Sequence, residues 1–544
     1  MPQMTDTASA PNPPQDPAQD PIQDQNRDQA SAPLADFPAG RARGSAEGGL
    51  HVYRGLPYAL PPTGDRRWRA PVKAPTWDGI RDATAFGPAC PQPFRRKGSV
   101  YECDIPLKDE DCLNLNIWAP KDARDLPVFV WIHGGNLLRG AGSEALTDGA
   151  ALARRGQVVV SINYRLNVLG YLAHPDLSAE DPDGVSGNYG LLDQIAALEW
   201  VRDNIAAVGG NPDNVTVAGE SAGALSVYYL MCAPAAQGLF ARAVAQSGHI
   251  CSAQHLRDNR HGMGTGEDSG RALLEKLRAS SIDELRQWDA QELALAAGAA
   301  GFAAQGVVDG HHLPDQPLVM FRDGRSADVP LMTGFNAREI PTLEFLMPPV
   351  PADAASYEAQ ICASYGDLAE DFLTLYPSDN LRRSCEDAAG HALFGWTVLA
   401  AAKAQVANGR AAQVYYFDHG YPEADDRDLH AFHACELAYL FDTMRQSPPA
   451  WPKAPDTEEE ATLTRIFGDY WTGFARDGVP RAEGAPDWPD YAQGEAILHI
   501  TDQPRIRRDL FPGMYDLIDA DFARRRATGT QPWNWLVGTA TPLG

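Results

Sequence analysis

Ser221 has the surroundings of a nucleophile. It lies in Gly219-Glu220-Ser221-Ala222-Gly223, after the apolar run Val215-Thr216-Val217-Ala218 and before the helix-compatible run Ala224-Leu225-Ser226-Val227-Tyr228-Tyr229-Leu230. The order reads as strand, sharp turn, helix. Small neighbours suit a turn with strained backbone angles, in which strand and helix come too close for larger side chains. Such a turn lifts one hydroxyl clear of a sheet, and the amides at the helix start favour negative charge growing beside it. That geometry serves acyl transfer. Gly-x-Ser-x-Gly alone also arises by chance in loops, so its weight comes from the strand before and the helix after.

A serine is a poor nucleophile without a base, an orienting acid and an oxyanion hole. His133-Gly134-Gly135-Asn136 directly follows the apolar run 128–132, which puts a glycine-rich turn at a strand's carboxyl end, where open α/β sheets bind ligands. The amides of Gly134, Gly135 and Asn136, together with that of Ala222, are the candidate oxyanion donors. Losing one such donor typically costs about 3 kcal/mol of transition-state stabilisation.

These groups need a sheet to bring them together. Runs 128–132 and 158–162 are continuously apolar, as in strands buried on both faces, while 113–118 alternates as a half-buried strand would. Helical spacing fills 190–205, with Asn204 and Gly209-Gly210 closing it. Further strands are expected at 241–245, 329–333 and 414–417. The alternation predicts an α/β fold with one mostly parallel sheet covered on both faces. Residues 342–402 hold helical patterns broken by prolines and are expected to form a helical cap within a single domain spanning 38–544.

Composition narrows the partners. A chain of 544 residues, 44% apolar, can bury a large core, and no run of about 18 apolar residues offers a membrane span. The formal charge of −26 argues against nucleic acid or anionic lipid and for a small-molecule substrate. Eight cysteines show no zinc-ligand spacing, so neither metal nor other cofactor is expected. Residues 1–37, rich in Pro, Gln, Asp and Ala, lack the basic start and apolar core of a secretory signal. They read as a disordered tail, with the cytoplasm as the default location.

The signature 209–223 and the stretch 110–120, Glu-Asp-Cys-Leu-Asn-Leu-Asn-Ile-Trp-Ala-Pro, resemble the type-B carboxylesterase family, cholinesterase relatives with the α/β-hydrolase fold. The resemblance covers roughly residues 40–540. It implies a serine hydrolase of carboxylic esters, with Glu339, in Gly334-Phe335-Asn336-Ala337-Arg338-Glu339, as the acid of a triad. It implies His433 as the base, within His433-Ala434-Cys435-Glu436-Leu437-Ala438-Tyr439-Leu440-Phe441, and this fold places the base after the acid in chain order. His430 is the local rival and is read as a lip or packing residue, His391 as part of a cap helix, and His133, His174, His311 and His312 as structural. Glu220 and Ser226 are further candidates for supporting roles, and Cys90 and Cys112 match a disulfide pair of the family, which would indicate an oxidising compartment.

Two alternatives accompany that reading. The same fold serves as a non-catalytic adhesion module, although such relatives commonly lack the nucleophile, and the same triad can cleave amides, carbamates or lactones. Two departures from the family concern the substrate. Asn136 stands where a third glycine is usual, which tolerates left-handed angles but narrows the pocket. Arg95-Arg96-Lys97 occupies a loop where cholinesterases carry a choline-binding tryptophan, which disfavours a cationic ester and suggests a carboxylate-bearing one.

Overall fold

The computed structural model describes residues 32–542, so most of the stretch read as a tail lies outside the described residues. Its last part does not behave as a tail. Leu34–Phe37 is a strand (β1) paired antiparallel with Gly40–Arg43 (β2), and Ala35 and Phe37 are buried. Order there comes from pairing and from a core contact of Phe37 with Trp200 rather than from composition.

The remaining strands are Ser45–Glu47 (β3), Leu50–Pro57 (β4), Ile80–Asp82 (β5), Asn114–Pro120 (β6), Leu126–Ile132 (β7), Val158–Ile162 (β8), Gly210–Glu220 (β9), Arg242–Gln246 (β10), Leu331–Asn336 (β11), Ala412–Phe417 (β12), Ile497–Ile500 (β13) and Arg505–Arg507 (β14). An 11-stranded sheet runs β14-β13-β12-β11-β10-β9-β7-β8-β6-β4-β3. From β8 through β13 the neighbours pair in parallel, and antiparallel strands close both ends.

Alternate side chains of the parallel strands enter two separate cores, as the strand period of two requires. Val128, Val130, Val158, Val160, Val215 and Val217 face one core. Phe129, Trp131, Val159, Ala218, Val244 and Met332 face the other. Both faces of these strands are therefore buried, and the runs 128–132 and 158–162 are legible because apolar residues fill all of their positions but Ser161. Strand β6 differs from its half-buried expectation, since Asn116 is buried and keeps its polarity inside by bonding Ser161 Oγ at 3.1 Å and the Gly142 carbonyl at 3.3 Å.

Register sets the height at which the strands end. Ile132, Gly219, Ala245 and Thr333 lie side by side across β7, β9, β10 and β11. Gly134, Ser221 and Ser247 each follow two residues later, so all three emerge at one level of the carboxyl edge.

Helix α1 (Tyr189–Asn204) precedes β9, and α2 (Ala222–Cys232) leaves the elbow. Within 342–402 the chain forms α3 (Ala354–Tyr365), α4 (Ala369–Leu375), α5 (Leu381–Gly390), a π-helical turn His391–Gly395 and α6 (Trp396–Ala407). Helices α3 to α5 share a satellite core of Tyr357, Ile361, Phe372 and Ala388. Helix α6 instead packs on β11 and β12, so residues from 396 onward cover the sheet. On the opposite face lies α7 (Glu458–Asp477), whose Phe467, Tyr470 and Trp471 fill the second core. No helix among the described residues is long and apolar enough to cross a membrane.

Candidate active site

The elbow is built by close approach. Ser221 holds φ 57 and ψ −120, an unfavourable conformation for a residue with a side chain, between β9 and α2. The packing enforces it. A Cβ on Gly223 would collide with the Ile132 carbonyl oxygen, so the helix can meet β7 only with glycine there. The Ser221 N–H donates to the Gln246 carbonyl at 2.9 Å, tying the turn to β10.

Behind the serine, His433 Nδ1 lies 2.5 Å from Glu339 Oε2. Glu339 Oε1 accepts from the Asn336 N–H and from Ser247 Oγ, both at 2.7 Å, and the carboxylate is 3% exposed. His433 is fixed from elsewhere by Tyr101, whose hydroxyl donates to the His433 carbonyl at 2.8 Å, and by the Phe394 ring at 5.3 Å. Its other nitrogen, Nε2, is 3.0 Å from Glu220 Oε1, and no hydrogen bond joins His433 to the Ser221 hydroxyl.

Three buried carboxylates thus surround one imidazole. Burial lifts Glu220 to about 8, against the opposing pull of His433 and with help from Glu436 and Glu339. Burial pushes His433 down, but Glu220 and Glu339 outweigh it and raise the imidazole to about 9. Glu436 is raised to about 7 by burial, while its oxygens accept from Asn336 Nδ2 at 2.6 Å and Gln246 Nε2 at 3.1 Å. Ser247, Asn336 and Glu436 carry no assigned role in the sequence reading. A carboxylate inside the apolar run 431–441 is the signal that marks Glu436, because such a group must find buried donors.

Ser221, His433, Gly134, Gly135, Asn136 and Glu220 line one cavity of about 570 Å³. Gly135, at φ 104, and Asn136, at φ 59, both take left-handed angles in the turn. Among the described residues no acceptor takes the Gly134 or Gly135 N–H, and Ala222 opens α2, where helix geometry leaves the first amides free. Ser226 stays out of this cluster, since its hydroxyl bonds the Ala222 carbonyl and Gln194 at 3.0 Å and ties α2 to α1.

The other histidines have structural partners. His133 stacks on Tyr164, His174 caps a helix through Asp176, His391 bonds the Tyr376 hydroxyl at 3.0 Å, and His430 lies between Asp418 and Asp425. His311 meets Asp183.

The disulfide implied by the resemblance is absent: Cys90 and Cys112 are both free thiols. Both are buried, and the neighbouring Cys90 side chain together with burial holds the Cys112 thiol well above its ordinary value. The described residues contain no cluster of side chains that could hold a metal ion.

The model of the carboxylesterase family matches residues 31–518. The chain belongs to the carboxylesterase family. As a carboxylesterase, it is similar to the para-nitrobenzyl esterase of Bacillus subtilis, with 37% identity over 87% of this chain and 97% of that protein. It is also similar to the fumonisin B1 esterase of Sphingopyxis macrogoltabida, 33% identical over 84% of each chain. Among solved structures, a para-nitrobenzyl esterase superposes with TM-score 0.77 at 33% identity, covering 90% of this chain and 99% of its own. A Geobacillus stearothermophilus carboxylesterase gives 0.76 at 33% identity, covering 91% and 99%. The α/β-hydrolase fold and an ester-hydrolysing activity belong to this carboxylesterase on those grounds.

Proposed function

We propose that Ser221 is the nucleophile, His433 the base and Glu339 the acid in hydrolysis of small-molecule carboxylic esters through an acyl-enzyme. The observation that carries this reading is the 2.5 Å contact of His433 Nδ1 with a buried Glu339, behind a cavity that His433 shares with Ser221. Glu339 accepts a hydrogen bond from Nδ1–H and holds that tautomer, leaving Nε2 free to take the proton of Ser221 as its oxygen attacks the ester carbonyl. The Nε2 to hydroxyl bond forms once substrate displaces the resting arrangement, in which Nε2 faces Glu220; such bonds are often loose without substrate. Amides of Gly134, Gly135 and Ala222 receive the oxyanion, with Asn136 beside them. His433 then protonates the departing alcohol and activates water to release the acid. Residues 342–394 act as the cap, with Thr342, Leu346 and Phe394 at the cavity.

A fluorophosphonate that traps activated serines tests the assignment. One equivalent is expected on the wild-type protein, recovered on the peptide containing Ser221, and a label on any other residue would overturn it.

The charge cluster sets the pH profile. A base must be neutral, and His433 is held protonated to about 9 by its carboxylate neighbours, so the acid limb of kcat/KM lies above the ordinary histidine value of 6.5. Removing a negative neighbour lowers an imidazole's pKa. Glu220→Gln is therefore expected to move that limb toward lower pH, and superimposable profiles for the two proteins would dismiss the coupling.

A further inference from the structure

The cavity beside Ser221 is lined at one end by Arg95, Arg96 and Arg139, in a chain whose formal charge is −26. Their situations differ. Arg95 is committed, donating to Glu144 Oε1 at 2.6 Å and to the Tyr101 carbonyl at 2.7 Å. Lys97, third in the same loop, is exposed and does not line the cavity. Arg139 comes from another place. It ends the turn that begins at Gly134, and its N–H donates to the Gly135 carbonyl at 3.1 Å, which fixes its backbone relative to the candidate oxyanion amides.

The Arg139 side chain is half-buried, and among the described residues its guanidinium makes no ion pair and no hydrogen bond. Burial and the Arg95 charge push it below the ordinary guanidinium value. The cavity's acids do not offset it: Glu144 is paired with Arg95, and Glu220 faces His433 Nε2 at 3.0 Å. A half-buried guanidinium without a protein partner keeps its donors for a ligand, and its planar fork suits a carboxylate.

A largely apolar space adjoins it. This second cavity, of about 470 Å³, shares Asn136, His249, Phe345, Leu346, Leu393 and Trp535 with the first and is further walled by Leu137, Leu225, Tyr229 and Met347. Burial holds His249 at about 4, so it adds no charge there at neutral pH. The two spaces meet along these shared residues, of which Asn136 directly follows the glycine turn.

We propose that this carboxylesterase is built for esters with one anionic half: a carboxylate on that half pairs with Arg139, with Arg96 at the rim, while the other half fills the apolar space. The proposal rests on the ester-hydrolase reading and adds the substrate's charge and the residue that reads it. Arg139, which the loop cations 95–97 overshadow in the sequence, is the specificity determinant.

The test compares the mono-para-nitrophenyl ester of glutarate, which is anionic, with para-nitrophenyl valerate, which is neutral and of equal chain length, on the full-length protein. In Arg139→Gln the ratio of kcat/KM, anionic over neutral, is expected to fall by roughly tenfold or more, mainly through KM, as the loss of one charge-assisted pair would give. Arg139→Lys is expected to restore part of it. Rising salt should lower the wild-type ratio. Lys97→Gln removes the same charge outside the cavity and should leave the ratio in place. An unchanged ratio in Arg139→Gln, an equal fall in Lys97→Gln, or a wild-type ratio indifferent to salt would overturn the assignment. Turnover of valerate with any of those outcomes sinks only the Arg139 proposal, whereas turnover of neither ester sinks the ester-hydrolase reading with it. The salt dependence and the lysine variant keep the test decisive if the glutamine variant fails to fold.

Discussion

Ser221→Ala is expected to lower kcat on a neutral para-nitrophenyl ester by about 10⁶, because nucleophile and base act as a unit and removing either one removes the acyl-enzyme route. The change is mild for the fold. Ser221 Oγ makes no protein hydrogen bond, its backbone is held by Gln246 and by the contact of Gly223 with β7, and alanine meets φ 57 with the same Cβ. Unfolding temperature should therefore stay near that of the wild type, which separates lost chemistry from lost structure. A residual rate enhancement of about 10³ over water is expected, since the amides and the cavity still bind the transition state. Adding His433→Ala to Ser221→Ala should then cost little more, for the same reason of non-additivity. A Ser221→Ala protein that keeps within tenfold of the wild-type kcat would remove the serine from the mechanism.

The parts of the fold legible in the sequence are those where local pattern and tertiary environment agree. Residues 128–132 and 158–162 read as buried strands because each of their faces meets its own core. β13 and β14 escape because four and three residues give too short a period, and because His499, Arg505 and Arg507 break the apolar run. Helix α6 reads as cap because helical spacing says nothing about which layer a helix joins; its contacts with β11 and β12 are tertiary facts. At the site, Ser221 stands out through its strand-turn-helix setting, and Glu339 and His433 through the family resemblance together with chain order. Ser247 does not, because its contact with Glu339 depends on β10 lying beside β11 in the register Gln246 to Gly334. Arg139 is the extreme case: Leu-Leu-Arg-Gly looks like a surface turn, and only the cavity and the missing counter-ion distinguish it.

Glu339→Gln is expected to lower kcat by about 10⁴ with almost no change in volume, through the tautomer of His433. In the wild type, Glu339 Oε1 accepts from the Asn336 N–H and Ser247 Oγ while Oε2 accepts from His433 Nδ1. A glutamine has one acceptor oxygen and one donor amide in those places. The Asn336 amide can only donate, so the glutamine oxygen must turn toward Asn336 and Ser247, which leaves the NH2 group facing Nδ1. His433 then answers as an acceptor at Nδ1 and carries its proton on Nε2, the nitrogen that must receive the serine proton. The site stays assembled but its base is occupied. Fluorophosphonate labelling of Ser221 should slow in proportion to kcat, because both reactions need the same proton transfer. A ring nitrogen chemical shift that assigns the Nδ1–H tautomer in both proteins, with kcat within tenfold of each other, would show that Glu339 does not orient His433.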